Sequence, residues 1–213
     1  MNLRNLTSAF AALVLTGSAL GVAAAPAQAD DEHDLGKRSL ATVLGADGNR
    51  FDRNAGDFDI LDRAVRTVLK AKPESPVGVL ADGKVALTAF APTDQAFRRL
   101  VEDISGEHIR SERRVFGVLA RTAGVDTVET VLLYHVVPGA TITYRQAKTS
   151  NGARLETATG QKIRVMVPGR VILADADKND RNPRVIFALR NINKGNEQIA
   201  HGIDRVLRPI DLP

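Results

Sequence analysis

Hydrophobic positions recur at helical spacing through the first half of the chain and at alternate positions through much of the second. Ile60, Leu61, Ala64, Val65, Val68 and Leu69 fall on one face of a 3.6-residue period, which predicts a helix with Asp57 as its N-cap. Before it, Leu40 to Leu44 predicts a short helix in an otherwise polar stretch, followed by a loop from Asp47 to Gly56. Pro73 and Pro76 mark a loop after it. Lys84 to Phe90 reads as a strand that enters an Ala-Pro-Thr turn. Thr93 is placed to cap a helix burying Phe97, Leu100 and Val101. Ser111 stands ahead of another, with Val115, Phe116, Val118 and Leu119 inward. Asp126 and Glu129 have capping spacing before Val128, Val131 and Leu132, so a helix should end near Tyr134 and His135. Pro138 and Gly139 then turn the chain.

Beyond that turn the period changes. Lys162 to Val167 alternates polar and apolar residues, Pro168-Gly169 turns the chain, and Arg170 to Leu173 returns, which predicts a hairpin. Arg184 to Leu189 and Gln198 to Leu207 read as two further strands. Helices mainly first and strands mainly last predict an α+β fold rather than alternating α/β.

The N-terminus predicts processing rather than fold. Arg4 gives a small basic region, Ala9 to Ala25 is apolar, and Ala27-Gln28-Ala29 fits the A-x-A cleavage rule. Residues 1–29 are therefore expected to be a signal peptide cleaved after Ala29, giving a secreted, extracellular protein. The apolar stretch is short and lacks a basic stop-transfer flank, so no transmembrane segment is expected. The chain has no cysteine, which excludes disulfides, thiol catalysis and cysteine metal sites. Its 29 basic and 25 acidic residues leave a mild positive excess, compatible with anionic glycans or cell-wall polymers. No basic stripe alternates with aromatics and there is no Trp, so nucleic acid is not an expected partner.

Three segments carry a further signal: Thr88 to Phe97 (TAFAPTDQAF), Leu132 to Gly139 (LLYHVVPG) and His201 to Pro209 (HGIDRVLRP). In this order and spacing they resemble the conserved blocks of the fasciclin (FAS1) domain, as a secreted, bacterial-type, single-domain member. The resemblance implies a FAS1-type β-wedge, two small sheets with several helices packed on it. In that fold the first and third blocks form neighbouring core strands. It divides the chain into a signal peptide (1–29), an N-terminal extension (30–56) and one FAS1 domain (57–213). The third block departs from the family pattern, with Gly195-Asn-Glu-Gln-Ile-Ala-His201 in place of a tighter Asn-Gly spacing.

The resemblance implies adhesion or matrix binding, not catalysis. Its Tyr-His block points to Tyr134, His135, Val136, Val137, Thr143 and Tyr144 as binding residues. The partner would be a cell-surface or matrix protein or polysaccharide. The plainer reading of His135 is a buried, hydrogen-bonded core histidine that orients the Val-Val-Pro turn, with Thr93 and Asp204 as its polar partners. The alternative function is a small-ligand-binding or hydrolytic envelope protein with a polar pocket around His135 and Asp204. Against hydrolysis, no G-x-S-x-G elbow, H-E-x-x-H, P-loop or dinucleotide fingerprint is present. His135 and His201 lack a third ligand at a recognised spacing, so neither a metal nor a cofactor is expected. Asp175 to Asp180 begins like an EF-hand loop but has Asp180 where Gly is needed, and reads as a polar hairpin tip. Arg110, Arg113, Arg114 and Arg121 form a local basic cluster, read as a solvated helix face or a site for an acidic polymer.

Overall fold

Each helix buries the face that its sequence marks. The computed structural model describes residues 35–46, 48 and 50–210. The segment expected as a signal peptide, 1–29, therefore lies outside the described residues. Helix α1 (Leu40–Leu44) buries both of its leucines. Helix α2 (Asp59–Ala71) buries Ile60, Leu61, Ala64, Val65 and Val68. Strand β1 (Leu87–Pro92) leads into α3 (Asp94–Ser105), and α4 (Glu112–Tyr134) follows. The remainder is β2 (Val136–Pro138), α5 (Tyr144–Thr149), β3 (Arg154–Glu156), β4 (Lys162–Met166), β5 (Ile172–Ala174) and β6 (Gln198–Ile203).

Two three-stranded sheets result, ordered β2-β1-β6 and β3-β4-β5. β1 and β6, from the first and third blocks, run parallel in the register Leu87↔Gln198 to Pro92↔Ile203. Every residue in both strands is buried, as expected for strands covered on both faces. Period-two geometry splits them between two cores. Leu87, Ala89, Ala91 and Ala200 pack with the helices, whereas Phe90 and Ile203 pack with Tyr134, Ile163, Val165 and Leu173. Gly202 in β6 has no room for a side chain, because a Cβ there would lie 2.6 Å from that of Leu189.

Several expectations shift. Helix α2 starts at Asp59, not at a cap on Asp57; Asp94 supplies the cap from across the fold, its Oδ1 accepting from the Ile60 N–H at 3.0 Å. The stretch expected as two helices is continuous except at Gly124, whose φ of 71° and ψ of 168° break it. Arg184 to Leu189 is not a strand: it makes bridges at Arg184 and Val185, then a 3-10 turn at Phe187–Leu189. Asp175 to Asp180 lies between β5 and the antiparallel bridge of Arg184 to Ile172, and it carries an ion-pair cluster. Arg208 pairs with Asp177 at 3.0 Å and Asp180 at 3.2 Å, and Arg205 pairs with Asp180 at 2.9 Å.

The described part of the expected extension belongs to the same compact unit as the rest. The buried Gln198 side chain ties it in. Its Oε1 accepts from the Leu40 N–H at 2.8 Å, and its Nε2 donates to the Val79 and Asp82 carbonyls at 2.7 and 2.8 Å. Among the described residues, no helix is long and apolar enough to cross a membrane.

Candidate functional site

The Tyr-His block is mostly interior. Tyr134 is fully enclosed, and the side chains of His135, Val136, Val137 and Tyr144 are buried. α4 ends at Tyr134 because His135 is its C-cap and the chain continues as β2. β2 then pairs antiparallel with β1, with Thr88 opposite Val137. Burial and the nearby Asp175 carboxylate push the Tyr134 phenol up to about 12.

His135 makes two backbone hydrogen bonds. The Leu207 N–H donates to its Nε2 at 2.8 Å, so Nδ1 carries the proton and donates to the Val131 carbonyl at 2.7 Å. Burial pulls its pKa down to about 4, which keeps the ring neutral at physiological pH. The ring therefore ties the end of α4 to the segment after β6. Its partners are not Thr93 and Asp204. Thr93 caps α3 by backbone position, without a side-chain cap bond. Asp204 Oδ1 accepts from the Arg184 N–H at 2.7 Å. The polar network expected among these three residues is therefore replaced by separate backbone ties. The cavity of about 80 Å³ that His135 borders is otherwise lined by apolar side chains and does not include Asp204, so it is not the polar pocket expected around these two residues.

The block leads to the surface at the link from β2 to α5, Pro138 to Thr143, where Pro138 and Gly139 are exposed and 140–143 half-buried. Four groups fix it. The Thr88 hydroxyl donates to the Ala140 carbonyl at 2.6 Å and accepts from the Ile142 N–H at 2.8 Å. His201 Nε2 donates to the Ile142 carbonyl at 2.8 Å while its Nδ1 accepts from the Asn191 N–H at 3.2 Å. The Thr141 hydroxyl donates to the Glu197 carbonyl at 2.5 Å. Asn191 Oδ1 accepts from the Tyr144 N–H at 2.7 Å. Thr143 closes the link as N-cap of α5, in a capping box with Gln146. The T-x-x-Q spacing was readable in the sequence; the clamps by Thr88, His201 and Asn191 were not. His201 is thus a structural neutral histidine, its pKa lowered by burial.

Beside the link, Phe187 is 63% exposed, the most open large apolar side chain among the described residues. Its ring meets Tyr144 edge-on at 5.9 Å, and the Arg190 guanidinium lies over it at 3.6 Å. Phe187 therefore continues the buried Tyr144 outward to the surface. The sequence placed Phe187 in a strand and so missed it.

Two overlapping groups of carboxylates converge among the described residues, Asp59 with Asp94 and Glu112, and Asp52 with Asp57 and Asp59, the oxygens of each lying within 4.8 Å of one another. Arg98 pairs with Glu112 at 2.7 Å. Burial, together with the neighbouring Asp57 carboxyl, pushes Asp94 up to about 8, so a proton held between Asp94 and Asp57 offsets part of this charge at neutral pH.

The order β2-β1-β6, with a small second sheet and helices over the other face, defines an α+β wedge. The chain matches the fasciclin domain family over residues 64–209, and it belongs to that family. No curated protein is significantly similar in sequence. Among solved structures, a FAS1 domain pair from the insect cell adhesion molecule fasciclin I is 17% identical, with a TM-score of 0.49. The match covers 71% of this chain and 47% of that one, so the chain spans about half of the pair's length.

Proposed function

We propose that this protein is a secreted, non-catalytic adhesion or interaction module that binds a cell-surface or extracellular-matrix protein or polysaccharide. Its contact surface is the link Pro138 to Thr143, extended by Arg145, Phe187 and Arg190. The supporting observation is the clamping of that link. Thr88, His201, Asn191 and Thr141 hold a short, partly exposed segment in one conformation, which lowers the ordering cost of binding. The exposed Phe187 with its stacked Arg190 supplies the aromatic and guanidinium anchors that dominate binding energy in protein interfaces. Tyr134, His135, Val136, Val137 and Tyr144 act in this reading by positioning the link, not by touching the partner.

The experiment is binding of the protein to immobilised envelope polysaccharides and matrix proteins, with a Phe187→Ser/Arg145→Ser double variant alongside. Saturable binding that weakens at least about tenfold in the double variant supports the assignment, as expected for loss of an aromatic anchor. Binding at wild-type affinity in the double variant overturns it.

A further inference from the structure

We propose that the N-terminal end of α4 carries a second binding surface, for an acidic polysaccharide bearing carboxylate or sulfate groups. The proposal rests on the interaction-module reading above and names the chemistry of one partner, at a different place on the fold. Two recesses flank the loop between α3 and α4. One, of about 410 Å³, is lined by Glu107, Ile109, Arg113, Arg114, Gly117, Val118 and Arg121. The other, of about 640 Å³, includes Arg53, Arg98 and Arg110 with Asp52.

The charge balance is one-sided. Arg53, Arg110, Arg113, Arg114 and Arg121 make no ion pair among the described residues, whereas Arg66, Arg98, Arg205 and Arg208 each have a carboxylate partner. Glu107 is the only carboxylate lining the first recess, and Asp52 the only one lining the second. Arg113 and Arg114 also occupy the first turn of α4, where the helix dipole disfavours cations. Gly117 leaves the floor of the first recess open, and Arg121 lies back across it: a Cβ at 117 would sit 3.3 Å from Arg121 Nη1. Around the first recess three arginines thus meet one lining carboxylate, Glu107, while beside the second recess Asp52 and Glu112 supply acid and Arg98 is already paired with Glu112. An anion placed in the first recess would relieve the repulsion among its arginines, and a guanidinium fork matches a carboxylate or sulfate with two parallel hydrogen bonds. Two recesses on either side of one loop suit a polymer with repeating anionic groups rather than a single small ion.

The surroundings favour a polysaccharide over other polyanions. None of the exposed large hydrophobic residues (Leu35, Val85, Ile104, Phe187 and Ile210) lines either recess, so nothing there would insert into a membrane. No Phe, Tyr or Trp lines either recess; the one ring there, the His108 imidazole in the second recess, lies 3.4 Å from the Glu102 carboxylate, and the nearby Phe51 is covered by Arg63 and Arg113.

The test is titration of the protein with polygalacturonate and with heparin, with dextran as the neutral control. Anionic phosphatidylglycerol vesicles and a single-stranded oligonucleotide are run alongside. An Arg113→Ser/Arg114→Ser/Arg121→Ser variant is compared with Arg154→Ser/Arg164→Ser/Arg170→Ser, which removes the same charge from exposed positions elsewhere. Circular dichroism checks that both are folded. The expected result is saturable, salt-sensitive binding to an acidic polysaccharide but not dextran, weakened at least about tenfold in the α4 variant and less than about threefold in the control. Equal losses in the two variants, no saturable polysaccharide binding, or stronger binding to vesicles or oligonucleotide would each overturn the proposal. Phe187→Ser leaves polysaccharide binding at this end intact, so failure here and failure of the β2–α5 surface are separately visible.

Discussion

Replacing His135 by Ala should destabilise the fold strongly at neutral pH and much less in acid. The substitution removes the acceptor for the buried Leu207 N–H and the donor to the Val131 carbonyl. An orphaned buried amide costs about 1–3 kcal/mol. The lost ring enlarges a cavity of about 80 Å³ that His135 already borders. Roughly 60 Å³ of added void contributes about 1.5 kcal/mol at ~24 cal/mol per Å³. The combined loss is about 3–4 kcal/mol. The pH dependence follows from the lowered pKa, from 6.5 to about 4. A histidine held neutral by the fold contributes fully above 6.5, and that contribution is lost as pH falls toward 4. At ~1.36 kcal/mol per unit, the loss amounts to about 3 kcal/mol. His201 is also depressed by burial, but it is present in both proteins and cancels in their difference. Urea unfolding followed by circular dichroism at pH 7.5 and pH 4.5 should show the gap between wild type and variant narrowing by about 2–3 kcal/mol in acid. A gap that stays constant with pH would refute the buried, neutral assignment.

Gln198→Leu should cost about 1–3 kcal/mol, chiefly because the buried Leu40 N–H loses its acceptor, whereas the Val79 and Asp82 carbonyls keep the Asp82 and Val85 N–H donors; a loss below about 0.5 kcal/mol in urea unfolding would show that the Leu40 amide finds another partner. Asp94→Asn keeps an oxygen to accept from the Ile60 N–H. The native Asp94, raised from 3.8 to about 8, contributes stability that is complete below 3.8 and lost as pH rises toward 8. The variant should therefore melt higher than wild type at pH 8, with the difference shrinking toward pH 4; parallel melting curves across that range would contradict the shared-proton assignment. Thr143→Ala removes the α5 capping box and should lower stability by about 1 kcal/mol, with faster amide exchange confined to 142–149; unchanged exchange there would show that the cap does not hold the link.

The sequence exposed most of the fold because its strongest signals are local. The apolar faces of α2 and α3 and the hairpin β4–β5 follow from period alone, and the block resemblance placed β1 beside β6. What it concealed depends on residues distant in sequence. Asp57 has the chemistry of an N-cap, but Asp94 arrives in space to cap α2, and only the folded chain brings them together. Arg184 to Leu189 has strand composition, yet it sits where pairing ends after two bridges, and Phe187 turns outward instead. At the site, the sequence marked His135 as a core histidine but could not name its partners, since both are backbone groups that carry no side-chain signature. The same holds for His201 and Thr88, whose partners are also backbone groups of the link or of its neighbours.

The central claim is that the Tyr-His block is a buried scaffold for a partly exposed contact link. The direct measurement is a pair of binding isotherms on the partner found by the array, one for Phe187→Ser/Arg145→Ser and one for Val137→Ala, each corrected for folded fraction. The surface variant is predicted to lose at least about tenfold in affinity while the buried variant, per folded molecule, binds within about threefold of wild type. Loss of affinity in folded Val137→Ala, with Phe187→Ser/Arg145→Ser binding as wild type, would contradict the claim and return the contact to the block itself.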